Sequence, residues 1–264
     1  MTFPGARVMI MIPSEEHYFS RKCGELYQGI LEFFFPRLCL SCDEKLLEGE
    51  EIFCSRCHNA LLPVPLPQCP LCGAPLGNRV IEDDRCPDCP PKQVYFDRAR
   101  APLLYNGPIV EAVIALKFRQ RIELAEFFAR VLLYHVKMEM TREKFDCIVP
   151  VPLHYTRFYS RGFNQSEEIG RFLAGWMDMP MWTETLRRAR HTKPQTRLAH
   201  ADRLKNVRDA FQIFDAEPVK ERHVLLLDDV FTTGSTLNAC ARALKEAGAR
   251  KVTALTLCRA IESP

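Results

Sequence analysis

At 264 residues the chain has room for a mid-sized domain and a small accessory module, and 47% hydrophobic with 26% charged residues is ordinary for a soluble globular protein. A formal net charge of +3 does not mark a nucleic-acid binder by bulk electrostatics. No run approaches the roughly 18 apolar residues of a spanning helix, so membrane insertion is not expected.

The chain opens on Val8 to Ile12, a short apolar run met at once by Pro13, Glu15 and Glu16. It is too short for a signal-peptide core and no small-residue cleavage site follows, so a cytoplasmic location is expected. Residues before about Ser20 show no periodicity. Leu26, Ile30, Phe33 and Phe34 then mark one face of a helix, which closes an N-terminal extension over 1–35.

Twelve cysteines follow an uneven plan. Eight stand in four pairs, Cys39-Leu-Ser-Cys42, Cys54-Ser-Arg-Cys57, Cys69-Pro-Leu-Cys72 and Cys86-Pro-Asp-Cys89, separated by 11, 11 and 13 residues. A two-residue spacer turns both sulfurs of a pair toward one ion, and two such knuckles complete a tetrahedral thiolate shell. Eight ligands imply two Zn²⁺ ions with structural roles, since a filled shell leaves no position for water. Sequential pairing into two ribbons is preferred to a cross-brace, with Gly73 as the positive-φ knuckle residue. Disulfides would need an oxidising compartment, and four dithiols in series do not fit a redox motif. Prolines 63, 65 and 67 divide this module, expected over 36–95, and Pro87, Pro90 and Pro91 close it. The isolated Cys147, Cys240 and Cys258 read as small core residues. From Pro36 to Tyr95 the formal charge is −3, so the remainder carries +6, and any nucleic acid would meet the remainder first.

From Phe96 onward, over 96–264, helix and strand signals alternate. Leu124, Phe127, Phe128, Val131, Leu132 and His135 fit an amphipathic helix, with His135 at its edge. Cys147-Ile148-Val149 reads as a buried strand. Ile169, Phe172, Leu173 and Trp176 mark the next helix and place Trp176 in the core. Val224 to Leu227 is an apolar strand, Leu237, Cys240, Leu244 and Ala247 a helix closed by Gly248, and Val252 to Leu257 a further strand. This alternation predicts an α/β fold with a mostly parallel sheet flanked by helices.

Three stretches carry chemistry. The apolar strand at Val224 delivers Asp228 and Asp229 to its carboxyl end, the ligand-binding end of open α/β sheets, where both are expected to be exposed. Thr232, Thr233, Gly234, Ser235 and Thr236 follow and open a helix. Amides and hydroxyls there can enclose a phosphate, aided by the helix N-terminus. The second stretch is Asp146-Cys-Ile-Val-Pro150-Val151-Pro152-Leu153-His154, then Arg157 and Arg161-Gly162-Phe163-Asn164-Gln165. An X-Pro bond makes an unusual peptide isomer cheap in such a loop, and guanidinium groups suit bidentate phosphate contacts. The third, Arg187 to Arg208, holds eight Lys or Arg, including Arg190, against the single acid Asp202.

The Asp228 to Thr236 run resembles the phosphoribosyl pyrophosphate motif of type I phosphoribosyltransferases. The resemblance implies that Asp228 and Asp229 contact the ribose 2′- and 3′-hydroxyls and that Thr232 to Thr236 hold the 5′-phosphate. It further implies that Pro150, Val151, Pro152 and Leu153 form the pyrophosphate loop and that the basic stretch is a mobile catalytic loop. Arg157, Arg161 and Arg190 would then neutralise the departing pyrophosphate of a Mg²⁺-phosphoribosyl pyrophosphate complex. Purine-salvage members carry an aspartate where this chain has Thr232, which points away from purine salvage and toward the amido- and orotate-type pattern. The ordered set of knuckles, Val-Pro-Val-Pro-Leu-His, Arg-Gly-Phe-Asn-Gln, the basic Thr-x-x-Gln loop and the aspartate pair resembles the ComF family of competence-associated proteins over about Phe35 to Ala260. That resemblance implies a link to DNA uptake and the competence machinery.

Two readings stay open. One is a phosphoribosyltransferase with an acceptor not legible in the residues. The other is a non-catalytic binder that senses phosphoribosyl pyrophosphate or grips single-stranded DNA through the basic stretch and Phe158, Tyr159 and Phe163, although such aromatics more often pack inward.

Overall fold

The computed structural model describes residues 36–82, 84–90, 93–153, 159, 161–188 and 210–261. The helix face from Leu26 to Phe34, Arg157, Phe158, Arg190 and most of the basic stretch lie outside the described residues. Contacts divide the chain into two units, Met1–Ser55 and Arg56–Pro264.

In the first unit a small hairpin forms around the Cys39 knuckle, with Leu38 bridged antiparallel to Lys45. The Cys39 amide donates to the Glu44 carbonyl (2.8 Å) and the Asp43 amide to the Cys39 carbonyl (3.0 Å), with Asp43 at φ 56. Leu46 and Phe53 supply its buried apolar groups. Near the unit boundary, α1 (Ser55–Asn59) is one short turn carrying Cys57.

The second unit repeats the hairpin before its sheet begins. Gln68 is bridged to Pro75, the Cys69 amide donates to the Ala74 carbonyl (2.7 Å) and the Gly73 amide to the Cys69 carbonyl (3.0 Å). Gly73 has the expected positive φ, 72°, and a Cβ there would stand 2.6 Å from the Ala99 carbonyl oxygen.

Two short strands, β1 (Arg98–Arg100) and β2 (Leu103–Leu104), lead into α2 (Pro108–Phe118) and α3 (Leu124–Glu139). Then come β3 (Cys147–Pro150), α4 (Gln165–Met177), β4 (Leu186–Arg188), β5 (Phe211–Ile213), β6 (His223–Phe231), α5 (Ser235–Glu246) and β7 (Lys251–Arg259). The main sheet runs β1-β7-β6-β3, all parallel, with β2 also on β7. Strands buried on both faces need near-continuous apolar sequence; Val224 to Leu227 supplies it, and Val252 to Leu257 does so apart from Thr253 and Thr256, whose buried hydroxyls are hydrogen-bonded. β4 and β5 form a separate antiparallel ribbon.

Helix faces follow burial with two exceptions. Ile169 and Leu173 of α4 are fully buried, but Phe172 and Trp176 are 38% and 40% exposed and pack on each other at 5.8 Å between centroids. Trp176 is therefore a helix-flank residue near the end of α4 rather than a core one. His135 departs the other way. It is buried on α3, and its Nε2 has no hydrogen-bond partner among the described residues.

Candidate functional site

The site is built where β3 and β6, paired side by side, reach their carboxyl ends. Pro150 is registered with Leu227, and the Val151 amide donates to the Leu227 carbonyl at 2.8 Å. The loop of Pro150, Val151, Pro152 and Leu153 thus starts beside the aspartate pair. The peptide bonds before Pro150 and Pro152 are trans; the cis bond among the described residues is Leu66–Pro67.

β6 extends past its apolar run, so Asp228 and Asp229 lie within the strand, which ends at Phe231 opposite Arg259. The pair is less open than a bare strand end. Asp229 is only 6% exposed, and Asp228 is partly buried. Lys117 of α2 places Nζ 2.8 Å from Asp229 Oδ1, and Gln165 Nε2 donates to Asp229 Oδ2 at 2.7 Å. Ser166 Oγ donates to Asp228 Oδ1 at 3.0 Å, as does the Asp229 amide at 3.0 Å. Burial first, and then the Asp229 carboxylate, raise the Asp228 pKa, while Lys117 opposes that rise.

The Arg-Gly-Phe-Asn-Gln motif is the start of α4 and is organised around this pair. Asn164 caps the helix, accepting from the Ser166 amide at 3.1 Å, and donates Nδ2 to the Val151 carbonyl at 3.1 Å. One side chain therefore fixes both the helix start and the loop at 150–153. Arg161 donates to Gln165 Oε1 at 3.2 Å and lies over the Phe118 ring at 4.7 Å. Phe163 is packed inward, whereas Tyr159 is 84% exposed.

Beyond β6 the chain turns through exposed Thr232 and Thr233 to Gly234, the N-cap of α5 at φ 71. Gly234 itself offers no capping side chain, and the Ser235 amide makes only a long contact, 3.4 Å, to Thr233 Oγ1. The hydroxyls of Thr233 and Ser235 are 2.8 Å apart, and Thr236 sits in the first turn. First-turn amides that no helix carbonyl engages, the hydroxyls and the helix dipole make this turn suited to an anion. Three groups that sequence reasoning gave no role, Lys117, Gln165 and Ser166, hold the aspartates. Lys117 is a lone cation in the apolar helix sequence Ile-Ala-Leu-Lys-Phe, and that anomaly was the available signal.

The eight paired cysteines gather as Cys39, Cys42, Cys54 and Cys57, and as Cys69, Cys72, Cys86 and Cys89, each set with sulfurs within 4.8 Å. The grouping is sequential. Sulfurs on a tetrahedral zinc with bonds of about 2.3 Å stand about 3.8 Å apart. Cys42–Cys54 (3.6 Å), Cys69–Cys89 (3.7 Å), Cys72–Cys86 (3.5 Å) and Cys86–Cys89 (3.9 Å) meet that spacing. These separations are far beyond a disulfide bond. Burial pushes the thiols of Cys72 and Cys89 up, the second to about 11, whereas at Cys69 burial is outweighed by the surrounding backbone amides, which bring the thiol down to about 7.

Two family models match, a double zinc ribbon domain over residues 30–90 and a phosphoribosyl transferase domain over residues 185–264. The second holds the aspartates and the turn at Gly234. DNA utilization protein YhgH of Salmonella typhi is 35% identical over 229 residues, covering 86% of this chain and 98% of that protein. The chain belongs to the ComF family. Competence protein F of Haemophilus influenzae is 29% identical, covering 86% of this chain and 99% of its own, and competence protein ComFC of Bacillus subtilis is 29% identical, covering 84% and 95%. A double zinc ribbon domain is thus followed in this chain by a phosphoribosyl transferase domain. Among solved structures, a glutamine phosphoribosylpyrophosphate amidotransferase from B. subtilis overlaps on 51% of this chain and 26% of its own, at 19% identity and a TM-score of 0.36. Among the described residues no helix is long and apolar enough to cross a membrane.

Proposed function

We propose that this protein binds Mg²⁺-phosphoribosyl pyrophosphate at the carboxyl ends of β3 and β6 and transfers the phosphoribosyl group to an acceptor in DNA uptake or utilization. The observation that carries this reading is the aspartate pair, held by Lys117, Gln165 and Ser166, beside the helix N-terminus that opens at Gly234. Asp228 and Asp229 accept from the ribose hydroxyls, and Thr232 to Thr236 enclose the 5′-phosphate. The anomeric carbon then faces the loop at 150–153. The bond from that carbon to pyrophosphate breaks through an oxocarbenium-like state while the acceptor's lone pair forms the new bond. Arg161, with Arg157 and Arg190, neutralises the leaving pyrophosphate. Mg²⁺ enters with the ligand and adds charge neutralisation of its own.

Titration calorimetry with Mg²⁺-phosphoribosyl pyrophosphate tests binding. Asp228→Asn should lose at least tenfold in affinity, since a charged acceptor is replaced by a neutral one, roughly 1.5–3 kcal/mol. Unchanged affinity in that variant would remove the ribose assignment. Pyrophosphate release across candidate acceptors then separates a transferase from a sensor.

One observation favours a second reading on the same fold. On the β4–β5 ribbon the Arg187 guanidinium lies 4.1 Å over the ring of Phe214, which is 71% exposed. Aromatic and cationic groups paired in the open suit stacking of single-stranded bases. If DNA binds there, Phe214→Ala should weaken it without changing its salt slope, whereas neutralising Arg187, Arg188, Arg190 and Lys193 should flatten the slope. Simultaneous, independent binding of DNA and phosphoribosyl pyrophosphate would refute a shared site.

A further inference from the structure

The second cysteine set is continuous with the core of the α/β unit. Cys69, Cys72, Cys86 and Cys89 share one buried cluster with Phe96, Phe231, Leu237, Cys240 and Ala241. Two buried arginines from the sheet reach into its knuckle. Arg100 of β1 donates to the carbonyls of Cys69 (3.2 Å) and Pro70 (3.1 Å). Arg259 of β7, 2% exposed, donates Nη1 to the Cys72 carbonyl at 2.6 Å and points Nη2 at Cys72 Sγ, 3.5 Å away. A zinc ion with four thiolates carries −2, and two permanent cations balance it within a dry interior.

The same residues bound the turn that meets the phosphate. The Arg259 guanidinium stacks on the Phe231 ring at 4.3 Å, and Phe231 lies two residues beyond Asp229. That ring underlies Gly234. A Cβ on Gly234 would stand 2.5 Å from Phe231 Cζ and 3.1 Å from Cγ of Pro90, the neighbour of Cys89. Arg85, next to Cys86, donates to the Pro90 carbonyl. Asn238 in α5 accepts from the Tyr95 amide at 2.7 Å and donates to the Gln93 carbonyl at 2.9 Å, which ties the helix to the chain leaving the last knuckle.

We propose that the metal site of Cys69, Cys72, Cys86 and Cys89 is a positioning element for the Thr232 to Thr236 turn, with Arg259, Pro90 and Asn238 as the connecting residues. Metal held at the knuckle fixes Pro90 and the Cys72 carbonyl. Pro90 and Phe231 then clamp Gly234 in the conformation that aims the α5 amides at an anion. Linkage is reciprocal in affinity, so ligand on the turn must tighten that zinc by the factor through which zinc loss weakens the ligand, and with zinc entry unchanged the tightening is read as slower release. The phosphate ligand is that of the proposed function, on which this inference rests in part.

The test is zinc release from the full-length chain to a chromogenic chelator, with and without saturating Mg²⁺-phosphoribosyl pyrophosphate. One zinc should leave about tenfold more slowly with ligand, within the usual range of coupling between sites. Arg259→Met and Asn238→Ala should each keep two zinc ions and lose the slowing. Arg259→Lys should not rescue it, because an ammonium cannot bridge carbonyl and sulfur while stacking on a ring. Ligand bound by calorimetry with zinc release unchanged would overturn the inference while sparing the proposed function. If calorimetry finds no binding, the proposed function fails, and hydrogen exchange decides the inference alone. Cys72→Ser should then deprotect the amides of 238–242, the first that are bonded within α5, and so, more weakly, should Asn238→Ala; retained protection in both overturns it.

Discussion

Lys117 and Asp229 are 112 residues apart in sequence, yet Lys117 Nζ stands 2.8 Å from Asp229 Oδ1 at the end of β6. The contact gives two adjacent carboxylates different partners. Asp229 accepts from a cation and a side-chain amide, while Asp228 is left with a hydroxyl and a backbone amide and a raised pKa of about 7.

Ligand affinity should therefore depend on pH. In the proposed complex it is the ionised Asp228 that accepts from a ribose hydroxyl, so affinity should be full above about 7 and fall as pH drops through it. Lys117→Met removes a charge that lowers this pKa, and the midpoint should move up. The variant should also lose about 2–3 kcal/mol of stability, below the range for a fully buried pair because Lys117 retains some exposure. Asp229→Asn added to Lys117→Met should restore part of it. Calorimetry from pH 6 to 9 and urea titrations check this, and an unmoved midpoint in Lys117→Met would break the assignment.

His135 sets a second pH dependence, one of stability. Burial, and then the Arg100 and Arg98 cations, lower its pKa to about 4, against an unfolded value near 6.5. The unfolded chain binds the extra proton first as pH falls. Stability is therefore fully present above about 6.5 and lost progressively down to about 4, by at most about 3 kcal/mol. His135→Phe should flatten the curve of urea midpoint against pH over that window. An unchanged slope would mean His135 is accessible to protons in the fold.

Elements that depend on local pattern were legible in the sequence. The knuckles announce themselves by spacing, β6 and β7 by apolar runs, and the aspartates and the turn at Gly234 by their order. What escaped depends on partners far along the chain. Nothing near Arg259 signals that it serves Cys72, 187 residues away. Likewise, the exposure of Trp176 and the burial of His135 depend on how α3 and α4 rotate against the sheet, which periodicity fixes only to within a residue or so. The aspartates were expected to be open because a strand end is usually open, but α2 and α4 close over Asp229.

Metal analysis of protein purified without chelator should give close to two zinc ions per chain, as two sets of four sulfurs require. The consequences of removal should extend beyond the ribbons, because Cys69, Cys72, Cys86 and Cys89 belong to the core cluster of the α/β unit. Cys72→Ser should lower the cooperative unfolding midpoint of the sheet itself, followed by hydrogen exchange in β6 and β7. Zinc near zero with full stability would remove the metal reading altogether.

Gly234 and Gly248 provide a controlled comparison of backbone strain against crowding. Both have positive φ, 71° and 92°, so an alanine at either incurs a conformational cost of about 1–2 kcal/mol. Their surroundings differ. At Gly248 the nearest atom to an added Cβ is Lys220 Cγ at 3.5 Å, an ordinary contact with a flexible chain. At Gly234 the Cβ would meet the Phe231 ring at 2.5 Å, and that ring cannot yield because Arg259 and Phe96 pack against it. Gly234→Ala should therefore cost more than Gly248→Ala by about 1–3 kcal/mol, the usual penalty of overpacking. It should also weaken Mg²⁺-phosphoribosyl pyrophosphate binding, because relief comes by shifting the turn, while Gly248→Ala should leave affinity unchanged. Urea titrations and calorimetry on the two variants decide it: equal destabilisation would show that Phe231 gives way, and the tight clamp on the phosphate turn would be wrong.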